Sequence, residues 1–348
     1  MGRMGQAVGR IVGLDVARGI AVLGMVAAHV GDDGTRGADT DGWAWLVIAH
    51  GRPSALFAVL AGVTMSLMLA GAGGTADARA VRRTRARIAA RAGVLVALGL
   101  LVSQMSTGVD IVLVNLGLIM LMAVPLLRAP SWVLLAGAAT AFAVGRVLVA
   151  AVQPEGWWYD APVVGRLWSY HYPALSWIGY ALLGLAVGRL ALREARVQAL
   201  LIGAGAAGVG AAVAIRIVVG DGPVTGLGAH TYTPLEMTAN SAIALAVIGG
   251  ACWLAPRMRA VLSPVEALGS MALSGYVLHL LIIAAVGSEM VYEPSNVALI
   301  VLEAVLLAAA WAWRRWQGQG PLERGLTRVS NAAGDAATRD LPAQAGSR

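Results

Sequence analysis

Five histidines are the residues of this chain whose chemistry is most informative. They are His29, His50, His171, His230 and His279. An imidazole has an unperturbed pKa near 6.5, so it can take up and release a proton at neutral pH as a general base or acid. In the membrane topology that the arginines predict, all five lie on the same side. The cluster therefore predicts proton chemistry at that face.

The segment from Arg10 to His29 places charged and titratable groups in an apolar setting. Asp15 and Arg18 are three residues apart, so they are neighbours on one helix face. Arg18 and His29 are eleven residues apart, about three turns and about 16 Å along nearly the same face. This spacing suits an elongated ligand with an anionic end near Arg18, and acyl-coenzyme A has that shape. A structural ion pair and an interfacial histidine explain the spacing equally well.

The composition places these residues in a membrane protein. The chain has 348 residues, 58% of them hydrophobic and 13% charged, and its mean hydropathy is +0.72. Soluble domains carry about 25% charged residues. The formal net charge of +7 would suit nucleic-acid binding, but the arginines lie in short loops between apolar runs, so we expect no nucleic-acid partner. The sequence has no cysteine–histidine spacing typical of zinc sites, and we expect no metal.

Ten apolar stretches approach the length of about 20 residues that crosses a bilayer. They fall at about residues 13–30, 53–70, 92–108, 110–127, 131–151, 174–191, 198–219, 236–255, 263–286 and 296–313. Arginines cluster in alternate connections, which are cytoplasmic by the positive-inside rule. We predict an all-α, polytopic protein of the cell membrane with about ten transmembrane helices and both termini cytoplasmic. Residues 1–325 form one transmembrane domain, and residues 326–348 form a polar, flexible tail.

Ordered blocks along the chain resemble the transmembrane acyltransferases. That group includes the heparan-α-glucosaminide N-acetyltransferase family, its bacterial relatives and, more distantly, the acyltransferase-3 family. The similar blocks are Leu14-Asp15-x-x-Arg18-Gly19-x-Ala21 followed by His29, residues 48–62, residues 228–236, residues 267–279 and Gly320-Pro321-Leu322-Glu323. They run from residue 10 to about residue 325, so the resemblance covers nearly the whole chain.

The resemblance implies transfer of an acyl group, usually acetyl, from cytoplasmic acyl-coenzyme A to an acceptor on the far side of the membrane. His50 matches the catalytic histidine of the heparan-type proteins. His29 matches a position that is asparagine there and histidine in acyltransferase-3 proteins. The separation of His29 and His50 is longer than the heparan-type spacing, so either can be the general base. We assign the base to His50, with His29 as second choice or partner, and a covalent acyl-histidine stays open.

The remaining site residues divide between donor and acceptor. Arg18, oriented by Asp15, would hold phosphate or pantetheine groups through forked hydrogen bonds; alternatively the pair locks the first span to its neighbours. The predicted cofactor-binding set also includes Arg52, Tyr276 and His279. Arg52 could instead support the oxyanion or the acceptor.

The acceptor is expected to be a hydroxyl or amine of a glycan or glycolipid. His230 and Glu236 are the predicted acceptor-binding residues, and His171 is expected at the membrane interface or facing the acceptor. Two other functions stay open. A secondary transporter would explain the embedded charges, and a non-catalytic scaffold could keep the acyltransferase fold. The sequence leaves a homodimer open.

Overall fold

The residues described by this computed structural model, 10–35, 42–152, 156 and 161–340, contain helices and no strand. The helices are α1 (Val12–Val30), α2 (Arg52–Gly71), α3 (Ala78–Val102), α4 (Leu113–Ala123), α5 (Ser131–Val152), α6 (Ala174–Val187), α7 (Ala195–Val219), α8 (Pro234–Leu254), α9 (Arg259–Ser270), α10 (Ala272–Val286), α11 (Glu289–Tyr292), α12 (Asn296–Gln317) and α13 (Pro321–Thr338). Short 3₁₀ helices cover Ala44–Ala49, Val124–Arg128 and Val164–Leu167.

Within the described part of the chain, six helical segments are long and apolar enough to cross a membrane. They are α1, the segment Ala44–Gly71 that contains α2, α5, α7, α8 and α12. Helices α9 and α10 are bent by 80° at a break between them and would make a seventh span if they cross as one. Leu113–Arg128 and Ala174–Val187 are shorter and apolar. The described residues are therefore helical and fit a polytopic membrane protein, whereas the ten spans and the side of the termini stay predictions.

Helix α1 lies at the centre of the bundle. It packs against α2, α8, α9 and α12, and both Asp15 near its start and Val30 at its end are buried. Side chains that point inward from α1 therefore meet protein rather than lipid. This position accounts for charged and titratable residues in an apolar helix, because charges within a span face a bundle interior or a wet cavity.

The polar C-terminal segment is helical, which differs from the predicted flexible tail. Helix α13 buries Leu326, Ser330, Gly334 and Thr338, which recur every four residues and so form one stripe. This stripe packs against α3, where the Arg91 Nε donates to the Ser330 hydroxyl at 3.2 Å. Small side chains permit this packing despite the polar composition of α13. Residues 341–348 lie outside the described residues.

Connections that follow α1, α3, α5 and α7 meet at one end of the bundle. The Tyr172 backbone N–H donates to the Tyr232 hydroxyl at 2.8 Å, which joins the connection before α6 to the connection before α8. The Arg52 guanidinium donates to the Leu227 carbonyl at 3.1 Å, which joins the start of α2 to the connection before α8. These contacts between distant segments build the walls of the cavity described next.

Candidate active site

A cavity of about 270 Å³ lies at the C-terminal end of α1. Its walls include His29, His50, His171 and His230, and we call it the histidine cavity. His279 of α10 lies behind His29, with its Nε2 3.2 Å from the His29 Nδ1. Four of the five histidines thus line one cavity and the fifth contacts one of them, although they come from five separate parts of the chain.

His50 is held by a carboxylate. Its Nε2 lies 2.8 Å from the Asp33 Oδ2, and the Asp33 side chain is fully buried. Burial disfavours the Asp33 carboxylate, but hydrogen bonds from the Thr35 hydroxyl and backbone N–H and from His50 outweigh it, so the pKa of Asp33 lies below its ordinary value. An ionised Asp33 fixes the ring with its proton on Nε2. Among the described residues the His50 Nδ1 has no hydrogen-bond partner, so it can serve as the basic nitrogen.

Arg52 fixes the backbone beside His50 and does not line the histidine cavity. Its guanidinium donates to the His50 carbonyl at 2.8 Å and to the Leu227 carbonyl at 3.1 Å. Gly51, between His50 and Arg52 in the chain, has a φ of +76°, and this conformation turns the chain from His50 into α2. The Arg52 N–H groups, which we predicted to bind coenzyme A or an oxyanion, therefore bind backbone carbonyls instead. In the structure Arg52 positions His50.

Tyr276 and His279 support His29 from behind. Both are buried, at 1% and 0% exposure, and their rings meet edge to face with centroids 5.0 Å apart. The Tyr276 hydroxyl accepts a hydrogen bond from the Val112 backbone N–H at 3.4 Å. Neither side chain lines the histidine cavity, and their contact with the acyl donor stays a prediction.

Glu236 anchors the connection before α8 instead of facing the cavity. Its carboxylate accepts hydrogen bonds from the backbone N–H groups of His230 and Tyr232 and from the Thr231 hydroxyl. Thr233 caps α8 by accepting from the Glu236 backbone N–H at 3.0 Å. Of the two residues predicted to bind the acceptor, only His230 lines the cavity. The Glu236 carboxylate accepts its hydrogen bonds from the loop instead.

His230 is a neutral imidazole in this setting. Burial and, secondarily, repulsion from His171 and His50 lower its pKa to about 4. Its Nδ1 lies 2.8 Å from the Tyr232 hydroxyl. At neutral pH His230 therefore contributes a polar but uncharged wall.

His171, which we expected at the membrane interface or facing the acceptor, lines the cavity. Its Nδ1 lies 2.8 Å from the Asp110 Oδ2, in the connection between α3 and α4. The Asp110 hydrogen bond raises the pKa of His171 above its ordinary value and outweighs partial burial. The same bond lowers the pKa of Asp110. The histidine cavity therefore has a second histidine–aspartate pair, which sequence reasoning missed because its members are 61 residues apart.

Three non-glycine residues at this site have left-handed backbone. Tyr172, His230 and Tyr232 have φ values of 60°, 61° and 51°. Such conformations cost about 1–3 kcal/mol each and cluster at functional sites. The hydrogen bonds that retain them include one from the Asn115 side-chain amide to the Tyr172 carbonyl at 2.6 Å. Backbone strain thus accompanies the histidines at this end of the bundle.

A second cavity, of about 740 Å³, lies at the opposite end of α1. Arg10, Arg18, Arg91 and Arg314 line it, together with Asp15 and Glu323, and we call it the arginine cavity. The Arg18 guanidinium donates to the Asp15 Oδ1 at 2.7 Å, as its spacing predicts, and to the Thr64 hydroxyl at 2.9 Å. Planar guanidinium groups bind phosphates through paired hydrogen bonds, so this cavity suits a phosphate-bearing ligand.

The two cavities approach each other along the same helices. On α2, Ser54 lines the histidine cavity and Phe57 lines the arginine cavity. These residues are three positions apart, which is about 4.5 Å of helix. On α1, Arg18 and His29 occupy the two respective cavities. The arrangement therefore aligns an end lined by guanidinium groups and an end lined by imidazoles along one axis of the bundle.

The described residues contain no group of three or more histidine, cysteine, aspartate or glutamate side chains that could hold a metal ion. Cys252 is buried in α8. The histidine cavity presents imidazoles, a carboxylate and a hydroxyl on its walls.

Comparison with known protein families gives two matches. Residues 10–216 match the family described as heparan-alpha-glucosaminide N-acetyltransferase, catalytic. Residues 186–331 match a family described as protein of unknown function (DUF418). No curated protein matches the chain. The first match includes His29, His50 and His171, and the second includes the two remaining histidines.

Proposed function

Because the chain belongs to the heparan-alpha-glucosaminide N-acetyltransferase catalytic family, we propose that it transfers an acyl group, in the first instance acetyl, from cytoplasmic acyl-coenzyme A to an acceptor outside the cytoplasm. The acceptor is a hydroxyl or amine of a glycan or glycolipid, and the enzyme lies in the cell membrane. The observation that carries this proposal is the His50–Asp33 pair on a cavity that nearly meets the arginine cavity.

The donor enters the arginine cavity, where guanidinium groups bind its phosphates. Arg18 is central to this role because it lies on α1, the helix that also carries His29. Asp15 and Thr64 orient its guanidinium. The pantetheine arm then follows α1 and α2 past Phe57, and the thioester reaches the histidine cavity. The rise of about 16 Å between Arg18 and His29 sets the length that the arm must cover.

His50 is the general base of the transfer. Its Nδ1 removes the proton from the acceptor as the acceptor oxygen or nitrogen attacks the thioester carbonyl carbon. Asp33 stabilises the imidazolium that forms. The carbon–sulfur bond then breaks, and the proton on His50 passes to the departing sulfur. His29 is the weaker candidate for the base because its Nδ1 faces His279 at 3.2 Å.

The test uses purified full-length protein in lipid nanodiscs with radiolabelled acetyl-coenzyme A and a panel of soluble amino sugars and glycans. Loss of the general base should lower transfer by about 10²- to 10⁴-fold. We expect His50→Ala to show this loss and His29→Ala to show a smaller one. Slow thioester hydrolysis, with water as the acceptor, provides a second readout. If both variants retain transfer and hydrolysis, histidine base catalysis is wrong.

A further inference from the structure

His171 stands between two cavities. It lines the histidine cavity and also an adjoining cavity of about 280 Å³ that includes Asp110, Arg166, Ser169 and Tyr170. Asp110 likewise borders both cavities. Ligand sites commonly have volumes of about 300–1,000 Å³. Each cavity alone is below this range, but the combined volume of the two lies within it. The His171–Asp110 pair therefore lies in the middle of a larger cleft.

The proposed reaction needs a hydrogen-bond donor for the negative charge that develops on the thioester oxygen. Arg52 is unsuited because it does not line the histidine cavity and its guanidinium donates to backbone carbonyls. The Ser54 hydroxyl, on the cavity wall, donates to the Gly51 carbonyl at 2.9 Å. The His171 Nδ1 is bound to Asp110, and among the described residues its Nε2 has no hydrogen-bond partner. This second nitrogen is available for a ligand.

We propose that His171, held by Asp110, is a second catalytic residue whose Nε2–H donates a hydrogen bond to the thioester oxygen as it becomes an oxyanion. The inference rests on the acyl transfer proposed above. The acceptor proton moves to His50 and then to the departing sulfur, whereas His171 keeps its own proton throughout. When the carbonyl re-forms and the carbon–sulfur bond breaks, the hydrogen bond from His171 weakens again.

The surroundings of His171 favour its charged form. Asp110 faces His171 from the connection before α4, and His230 faces it from the connection before α8. Arg166 lies on the same connection as His171. His50 completes the titratable groups on the shared cavity. The hydrogen bond from Asp110 raises the pKa of His171, whereas partial burial and Arg166 act in the opposite direction. A charged imidazole is a stronger hydrogen-bond donor than a neutral one.

The pH dependence of kcat/KM tests this role. The profile should have a falling limb at higher pH, where activity drops as His171 loses its proton. Removal of the Asp110 charge lowers the pKa of His171, because the carboxylate stabilises the imidazolium. Asp110→Asn should therefore move the falling limb to lower pH by about one unit. Asp221→Asn is the matched control, because Asp221 pairs with Arg216 outside the cavity.

Two substitutions of His171 complete the experiment. His171→Ala should lower kcat by about 10²- to 10³-fold, with an unchanged KM for acetyl-coenzyme A. His171→Gln should restore part of kcat and abolish the falling limb, because an amide donates without titrating. A falling limb that stays in place in Asp110→Asn and His171→Gln would overturn the role of His171, even while transfer remains dependent on His50. Loss of dependence on His50 would instead refute the proposed function.

Discussion

Gly269 of α9 contacts Asp15 of α1 so closely that a Cβ atom added to the glycine would overlap the Asp15 carbonyl oxygen. The same atom would lie 2.5 Å from the Gly19 backbone nitrogen. Gly269 therefore sets the distance between α9 and the part of α1 that carries the Asp15–Arg18 pair. Small residues permit this kind of close approach between membrane helices.

Replacement of Gly269 by alanine should destabilise the protein. Overpacking commonly costs about 1–3 kcal/mol, and here the clash is with backbone, which cannot rotate away. We expect a lower thermal unfolding temperature in detergent and weaker binding of coenzyme A, since Asp15 must shift. Gly250→Ala in α8 is the control, because a Cβ at Gly250 meets nothing within 4 Å. Equal unfolding temperatures for the two variants would contradict the prediction.

Asp33→Asn should impair the chemical step and spare donor binding. An asparagine amide can donate to the His50 Nε2, which would move the imidazole proton to Nδ1 and remove the basic nitrogen from the reaction. We expect kcat to fall by about 10²-fold or more, with little change in the KM for acetyl-coenzyme A.

Asp32→Asn controls for loop folding in this experiment. The Asp32 carboxylate accepts from the Gly34 backbone N–H at 2.9 Å and does not contact His50. A comparable fall in kcat for both variants would indicate a general loop effect and contradict the specific role of Asp33.

Short-range spacing and hydropathy predicted much of the framework. The Asp15–Arg18 contact follows from a separation of three residues on a helix. The all-helical membrane class follows from composition, and the family match confirms the resemblance drawn from the motif blocks. The side of the membrane on which each loop lies remains a prediction from the arginines.

Loop contacts were beyond the reach of sequence reasoning. Asp33 was visible as an acid in the first connection, but its bond to His50 depends on the path of the loop between them. Asp110 and His171 belong to different connections, so no local period relates them. Glu236 was predicted to bind the acceptor from an outer loop, but the sequence could not show that its carboxylate accepts hydrogen bonds from the N–H groups of that loop.

Arg18→Lys should weaken coenzyme A binding by about tenfold, which corresponds to about 1.4 kcal/mol. Lysine keeps the positive charge beside Asp15 but lacks the planar fork that binds phosphate oxygens in pairs. Isothermal titration calorimetry with coenzyme A measures the change. Arg189→Lys is the control, because Arg189 donates to the Leu127 carbonyl at 3.2 Å and is absent from the arginine cavity. An unchanged Kd in Arg18→Lys would favour a purely structural Asp15–Arg18 pair.

Glu323→Gln should loosen α13 from the bundle. The Glu323 carboxylate accepts from the backbone N–H groups of Leu273 and Ser274 at 2.8 and 3.1 Å, and from the Ser274 hydroxyl at 2.6 Å. It thereby satisfies N–H groups at the start of α10, where negative charge is favourable. Hydrogen bonds to a charged group contribute about 1.5–3 kcal/mol, so the neutral amide should lower the unfolding temperature.

Limited trypsin digestion locates the effect of Glu323→Gln. Detachment of α13 should accelerate cleavage after Arg324 and Arg328, while cleavage elsewhere stays slow. Asp335→Asn is the control within the same helix, because the Asp335–Arg83 pair is exposed at 62% and 47% and exposed pairs contribute little. Because α10 also carries His279 behind His29, Glu323→Gln should reduce transfer as well. If cleavage is faster but acyl transfer is unchanged, α13 does not contribute to the support of the histidine cavity.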